Sequence, residues 1–141
     1  MQGQPPLDVE EFRRWRAEAD RALFGAELHK DAGLHNWSCF LSEQAAQLAL
    51  KGLLHGLGKA PWGHDLVGLA RIARDAQLEV GDAVSGALHR LGRHYIPARY
   101  PDAHPAGPAG EHYLASDAED ALADAKAVLA FVDRTWDSLH A

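Results

Sequence analysis

The stretch from about His35 to Leu57 restricts the fold more than any other part of this chain. Trp37, Phe40, Leu41, Ala45, Leu48, Ala49, Leu50, Leu53, Leu54 and Leu57 recur at helical spacing and cover much of the circumference. Only a narrow polar stripe is left, at Glu43, Gln47, Lys51 and His55, each four residues from the last. A helix apolar on so many sides needs several neighbours, so it belongs at the centre of a bundle.

The flanking sequence supplies those neighbours. Ahead of it, Asp8 can cap a helix, Glu11 can close a capping box and Leu7 can staple onto Phe12. Phe12, Trp15, Ala19, Ala22, Leu23 and Ala26 then form a stripe running to about Lys30, which Gly33 breaks. A shorter helix is predicted from near Asp65, burying Leu66, Leu69, Ala70 and Ala73. Another starts at Asp82 with Val84, Ala87, Leu88, Leu91 and Tyr95, and Pro97 ends or kinks it. The last is predicted from a Ser116–Glu119 capping box, with one apolar stripe from Ala118 through Ala121, Leu122, Ala125, Val128, Leu129 and Val132 to Trp136. No β alternation occurs. The expected fold is all-α, an antiparallel four- to five-helix bundle forming one domain over residues 8–140, after a short tail over residues 1–7.

Several chemistries find no support. The single cysteine, Cys39, excludes an intrachain disulfide framework and reads as a small buried residue between Trp37 and Phe40. Nine histidines invite a metal, yet none forms a His-x-x-x-His or Glu-x-x-His pair, so no metal or other cofactor is expected. Neither a Gly-x-Ser-x-Gly nucleophile turn nor a glycine-rich phosphate loop is present. No apolar run is long enough to cross a bilayer, and the first residues lack the basic and apolar regions of a signal peptide; a cytoplasmic location is expected.

The net charge of −6 argues against a broad, non-specific nucleic-acid surface. The charge is unevenly spread, however. Ala83 to Pro101 holds no acid but carries Arg90, Arg93, Arg99, His89 and His94, whereas the acids crowd after Pro105. The stretch Arg93 to His104 also opens a long loop punctuated by Pro97, Pro101, Pro105 and Pro108, and long loops in compact domains are often functional. Within it Arg99 and His104 are separated by four residues. Such a pair suits RNA cleavage without metal, since imidazole moves protons near neutral pH and guanidinium holds charge on phosphate oxygens.

Three motifs add a resemblance. Gln44-Ala45-Ala46-Gln47-Leu48-Ala49-Leu50-Lys51-Gly52-Leu53-Leu54 resembles the central-helix signature of HEPN domains, the prokaryotic and higher-eukaryotic nucleotide-binding helical family. Gly63-His64-Asp65-Leu66 is similar to that family's Thr-His-Asp-Leu step, and Arg99-Tyr100-Pro101-Asp102 matches its Arg-Tyr-Pro-Asp motif. Their order and spacing fit from roughly Phe12 to Trp136. The resemblance implies a helical bundle that forms a homodimer and partners a minimal nucleotidyltransferase in a toxin–antitoxin-type system. It also implies an alternative, a metal-independent RNase in which Arg99 stabilises phosphate charge and His104 acts as general acid or base across a dimer cleft. A third reading is a nucleotide-binding module without catalysis.

RNA or nucleotide contacts are expected from Arg93, His94, Tyr95, Arg99, Tyr100, Asp102 and Lys51. Several have a structural counterpart. Arg99 can fix the loop through Asp102 or the carboxylates of the last helix, and Lys51 can pair with Glu43 or Gln47 on its own helix. Tyr95 and Tyr100 can close the core instead of stacking on a base. His64 and Asp65 read as a helix-start device. Tyr100 stands where RNase members usually carry a polar residue, and Pro101 and Pro105 prevent a regular helix from joining Arg99 to His104.

Overall fold

The computed structural model describes residues 6–139, so residues 1–5 of the expected tail and His140 at the domain edge lie outside the described residues. Five α-helices follow in order: α1 Val9–Asp31, α2 His35–Gly56, α3 Leu66–Asp75, α4 Asp82–Gly92 and α5 Ala115–Leu139, with no strand among the described residues. Two short 3-10 turns, Pro101–Ala103 and Ala109–His112, interrupt the long connection before α5. No described helix is long and apolar enough to cross a membrane.

Helix α2 is the hub. It packs against α1, α3, α4 and α5, as its nearly all-round apolar surface requires. Leu50, Leu53 and Leu54 are fully buried, and so are Ala45, Ala46 and Ala49, whose small side chains let neighbouring helices come close. Gly52 and Gly56 extend that close approach: a methyl on Gly52 would sit 2.8 Å from Trp15 Cβ, and one on Gly56 would press into the indole of Trp136. Trp136 stacks on Phe12 with ring centroids 4.0 Å apart, so α1, α2 and α5 meet at one end of the bundle.

The helix starts follow from local chemistry, with one correction. Asp8 caps α1, its Oδ1 accepting from Glu11 N–H at 3.1 Å, and Asp8 N–H donates to Gly56 O at 2.8 Å, tying α1 to the end of α2. Leu7 packs against the core that Phe12 enters. Asp65 caps α3 through Val67 N–H at 3.1 Å. Helix α4 ends at Gly92, before Pro97 can act, and hydrogen-bonded turns carry the chain on to Arg99. The last helix does not start from Ser116 and Glu119. Asp117 reaches back to accept from Leu114 N–H at 2.8 Å, and the Leu114 carbonyl takes the bonds of Asp117 and Ala118.

Ion pairs lash the outer helices together. Arg16 of α1 forks onto both oxygens of Asp133 on α5 at 2.8 and 3.0 Å and reaches Asp20 at 2.6 Å. Arg90 of α4 forks onto Asp124 of α5 at 2.9 Å. The acid-free stretch is therefore not an isolated positive region, because α5 brings Asp117, Asp120 and Asp124 into one small cleft with Arg90, Arg93 and His94.

Candidate functional site

The segment carrying Arg99 is laid across the first half of α2. Asn36 is buried and its Nδ2 donates to Ala98 O at 2.9 Å, while Ala98 itself is fully buried. That anchor fixes the backbone on either side of Arg99. The guanidinium then lies 4.5 Å from the ring centroid of Phe40, 4.5 Å from that of Tyr95 and 5.0 Å from that of Tyr100. Planar guanidinium, more weakly hydrated than an ammonium, stacks well in such a box. Arg99 Nε donates to Tyr95 O at 2.8 Å. Its terminal nitrogens have no hydrogen-bond partner among the described residues and are not completely buried.

Arg99 does not pair with Asp102 or with the carboxylates of α5 among the described residues. Asp102 sits exposed in the turn Pro101–Ala103. The acid facing Arg99 is Glu43, fully buried on α2. Glu43 accepts from Gln44 Nε2 at 2.8 Å and Gln47 Nε2 at 3.0 Å. Burial pushes its carboxyl up to about 7, against those two hydrogen bonds and the fields of Arg99 and Lys51. Lys51 makes no ion pair with Glu43; burial lowers its amine while Glu43 works in the other direction.

His104 belongs to a different cluster. Its Nε2 donates to Pro97 O at 2.6 Å, and its ring stacks on His112 at 4.3 Å with the planes 4° apart. His112 Nε2 donates in turn to Ala106 O at 2.6 Å, so the two imidazoles pin the proline-rich loop at two points. Tyr113 meets His104 edge-on at 6.2 Å, and its hydroxyl lies 3.4 Å from His94 Nδ1. Burial lowers the His94 imidazole and raises the Tyr113 hydroxyl to about 12. No hydrogen bond, ion pair or ring contact joins Arg99 to His104 within the described residues. Arg93 is exposed at the C-cap of α4, in the cleft with Asp117 and Asp120.

The structure thus groups Tyr95, Tyr100 and Arg99 and places His94 and His104 apart from them. It adds Asn36, Phe40, Glu43, Gln47 and His64, none of which the loop sequence announces. For the four on α2 the signal was spacing, since Asn36, Phe40, Glu43 and Gln47 fall on one helical stripe; His64 stands in the Gly63-His64-Asp65-Leu66 step. Among the described residues no group of His, Cys, Asp and Glu side chains could hold a metal. Cys39 is fully buried and its thiol is pushed up to about 12, chiefly by burial, which fits a packing role.

Comparison with known proteins agrees with this architecture. No curated protein matches the chain. A protein from Thermus thermophilus, TT1696, has a solved structure that is 41% identical, with a TM-score of 0.82 over 88% of this chain and 97% of that one. ST0689, described as an archaeal HEPN homologue, is 30% identical with a TM-score of 0.73, over 86% of this chain and 94% of its own. A HEPN domain protein from Thermotoga maritima, 22% identical, shares the fold at a TM-score of 0.70 over 88% of this chain and 98% of that one. The HEPN domain itself matches residues 12–135. The chain belongs to the HEPN domain family.

Proposed function

We propose that this chain is the HEPN half of a two-protein system, acting as a homodimer beside a minimal nucleotidyltransferase in a toxin–antitoxin arrangement, and that it holds a phosphate-bearing ligand, RNA or nucleotide, on Arg99. Arg99 itself carries the reading. Three rings and one backbone carbonyl hold its guanidinium, and its terminal nitrogens remain unclaimed. An arginine ordered before binding loses little freedom when a phosphate arrives. The motif set supports the pairing, as do Trp37, Ile96 and Tyr100, apolar groups left exposed on the segments around Arg99.

Co-expression with a nucleotidyltransferase encoded beside it is expected to yield a stable complex, and light scattering a dimer of this chain. A chain that emerges alone rejects the pairing, and a monomer rejects the dimer. Arg99→Ala is expected to weaken binding of a short RNA or of AMP, ATP or GTP by calorimetry; unchanged titrations reject the phosphate role.

The pre-set guanidinium also favours a second reading, a metal-independent RNase using Arg99 and His104. Because the two groups lie in separate clusters of one chain, this reading needs two copies to bring them together. RNA cleavage in EDTA is then expected to vanish in Arg99→Ala and in His104→Ala and to return partly when the two variants are mixed. Full cleavage by either variant alone rejects it.

A further inference from the structure

Among the described residues Glu43 is the only charged side chain in the core, at 0% exposed. A carboxyl buried that deeply ordinarily has a lysine or arginine against it. Glu43 makes no ion pair among the described residues. Its two oxygens are taken by amides instead, Oε1 accepting from Gln44 Nε2 at 2.8 Å and Oε2 from Gln47 Nε2 at 3.0 Å. Phe40, whose ring carries the Arg99 guanidinium at 4.5 Å, stands one helical turn away on the same face of α2. The charged groups whose fields reach the carboxyl are Arg99, from the loop after α4, and Lys51, two turns along α2. His64, ahead of α3, meets it only through Gln47, with Nδ1 3.0 Å from Gln47 Oε1. No charged group of α1, α4 or α5 joins them among the described residues.

The two amides differ in freedom. Gln47 is held at both ends, by Glu43 and by His64, whereas the Gln44 side chain meets only Glu43. Ionised, Glu43 can only accept, and it takes an N–H from each amide. Protonated, it must also donate, and Gln44 can turn its amide over to present the oxygen. The cluster therefore accommodates both states, and burial brings their exchange to about 7. With the proton gone, the carboxylate offsets part of the positive field that Arg99 offers an incoming anion. With the proton on, that field is unopposed.

We propose that Glu43 couples anion capture to proton uptake: a phosphodiester or similar oxyanion binds Arg99 more tightly when the Glu43 carboxyl is protonated, and its arrival draws a proton from solvent onto that carboxyl. This rests on the reading of Arg99 as the phosphate holder. Glu43 acts through its field and touches no ligand. The coupling is reciprocal, so the factor by which the proton tightens anion binding is the factor by which the anion tightens proton binding. Across a partly desolvated site that factor is roughly three- to tenfold.

The probe is a thymidine dinucleotide, whose single phosphodiester does not titrate between pH 5.5 and pH 8 and has no neighbouring 2′-hydroxyl to attack it. NMR of the Glu43 carboxyl carbon in the full chain follows its titration with and without the dinucleotide. The midpoint is expected near 7 in the free protein and higher in the complex. By calorimetry the dinucleotide should bind roughly three- to tenfold more tightly at pH 5.5 than at pH 8, and buffers of different ionisation heat should show proton uptake at pH 7. Glu43→Gln should bind equally at both pH values without uptake, and His64→Gln should keep both effects. Circular dichroism checks that the variants fold, and the wild-type NMR titration decides the question without them. A Glu43 midpoint that ignores the dinucleotide, or a pH dependence that survives Glu43→Gln or disappears in His64→Gln, overturns the coupling. Binding that Arg99→Ala still abolishes would then leave the phosphate reading standing. Binding that is absent, or indifferent to Arg99→Ala, sinks both.

Discussion

Gly56 lies against Trp136 so closely that a β-carbon there would stand 2.8 Å from the indole Cη2. The indole is held in turn by Phe12, so it has nowhere to retreat. Gly56→Ala is therefore expected to destabilise the fold by about 1–3 kcal/mol, the usual cost of overpacking. Denaturant unfolding measures this, with Gly92→Ala as control, since nothing lies within 4 Å of a β-carbon at Gly92. Equal midpoints for the two variants would contradict the packing.

The buried carboxyl of Glu43 predicts a pH dependence of definite sign. Its folded pKa of about 7 stands above its ordinary value of 4.5 because burial disfavours the charge. The folded state then binds more protons than the unfolded state between those values, so stability falls as pH rises through that window and levels off above it. The change is on the order of 3 kcal/mol for a shift of this size. Glu43→Gln cannot ionise and is expected to lose this fall. Urea midpoints measured from pH 5 to pH 8 compare the two, and parallel curves would refute the assignment.

Asn36 tests the anchor beneath Arg99. Asn36→Ala leaves the buried Ala98 carbonyl without its donor, at an expected cost of about 1–3 kcal/mol. It should also speed amide exchange across residues 93–104 and weaken any ligand held by Arg99. Wild-type exchange rates in that segment would show that the bond does not organise it.

Cys39 should behave as a core atom. With its thiol fully buried and raised to about 12, a disulfide reagent at pH 8 is expected to leave it untouched in the folded protein and to react at once in guanidinium. Fast reaction under native conditions would mean that α2 opens at that point.

The bundle could be read from the sequence because its signals are local and periodic. The apolar excess on α2 required neighbours, and the stripes of the flanking segments supplied them. The start of α5 misled because Ser116 and Glu119 form a good capping pair on paper, while Asp117 reaches back to Leu114 and the helix begins two residues earlier. Arg99 was legible from its motif, but its surroundings were not. Which face of α2 the proline-rich segment crosses is a tertiary choice, and only that choice places Phe40 and Glu43 near it. The uneven charge misled for the same reason, since α5 carries Asp124 back to Arg90 from 34 residues away.

The stacking of Phe12 on Trp136, together with the bond from Asp8 to Gly56, draws the beginning of α1 and the last turns of α5 to a single pole of the molecule. Asn36, Phe40 and the guanidinium they help seat lie along the half of α2 that leads away from that pole. A surface, reporter or fused domain attached beyond either outer helix would therefore hang on the far side from the arginine, leaving its approach clear for whatever this bundle receives.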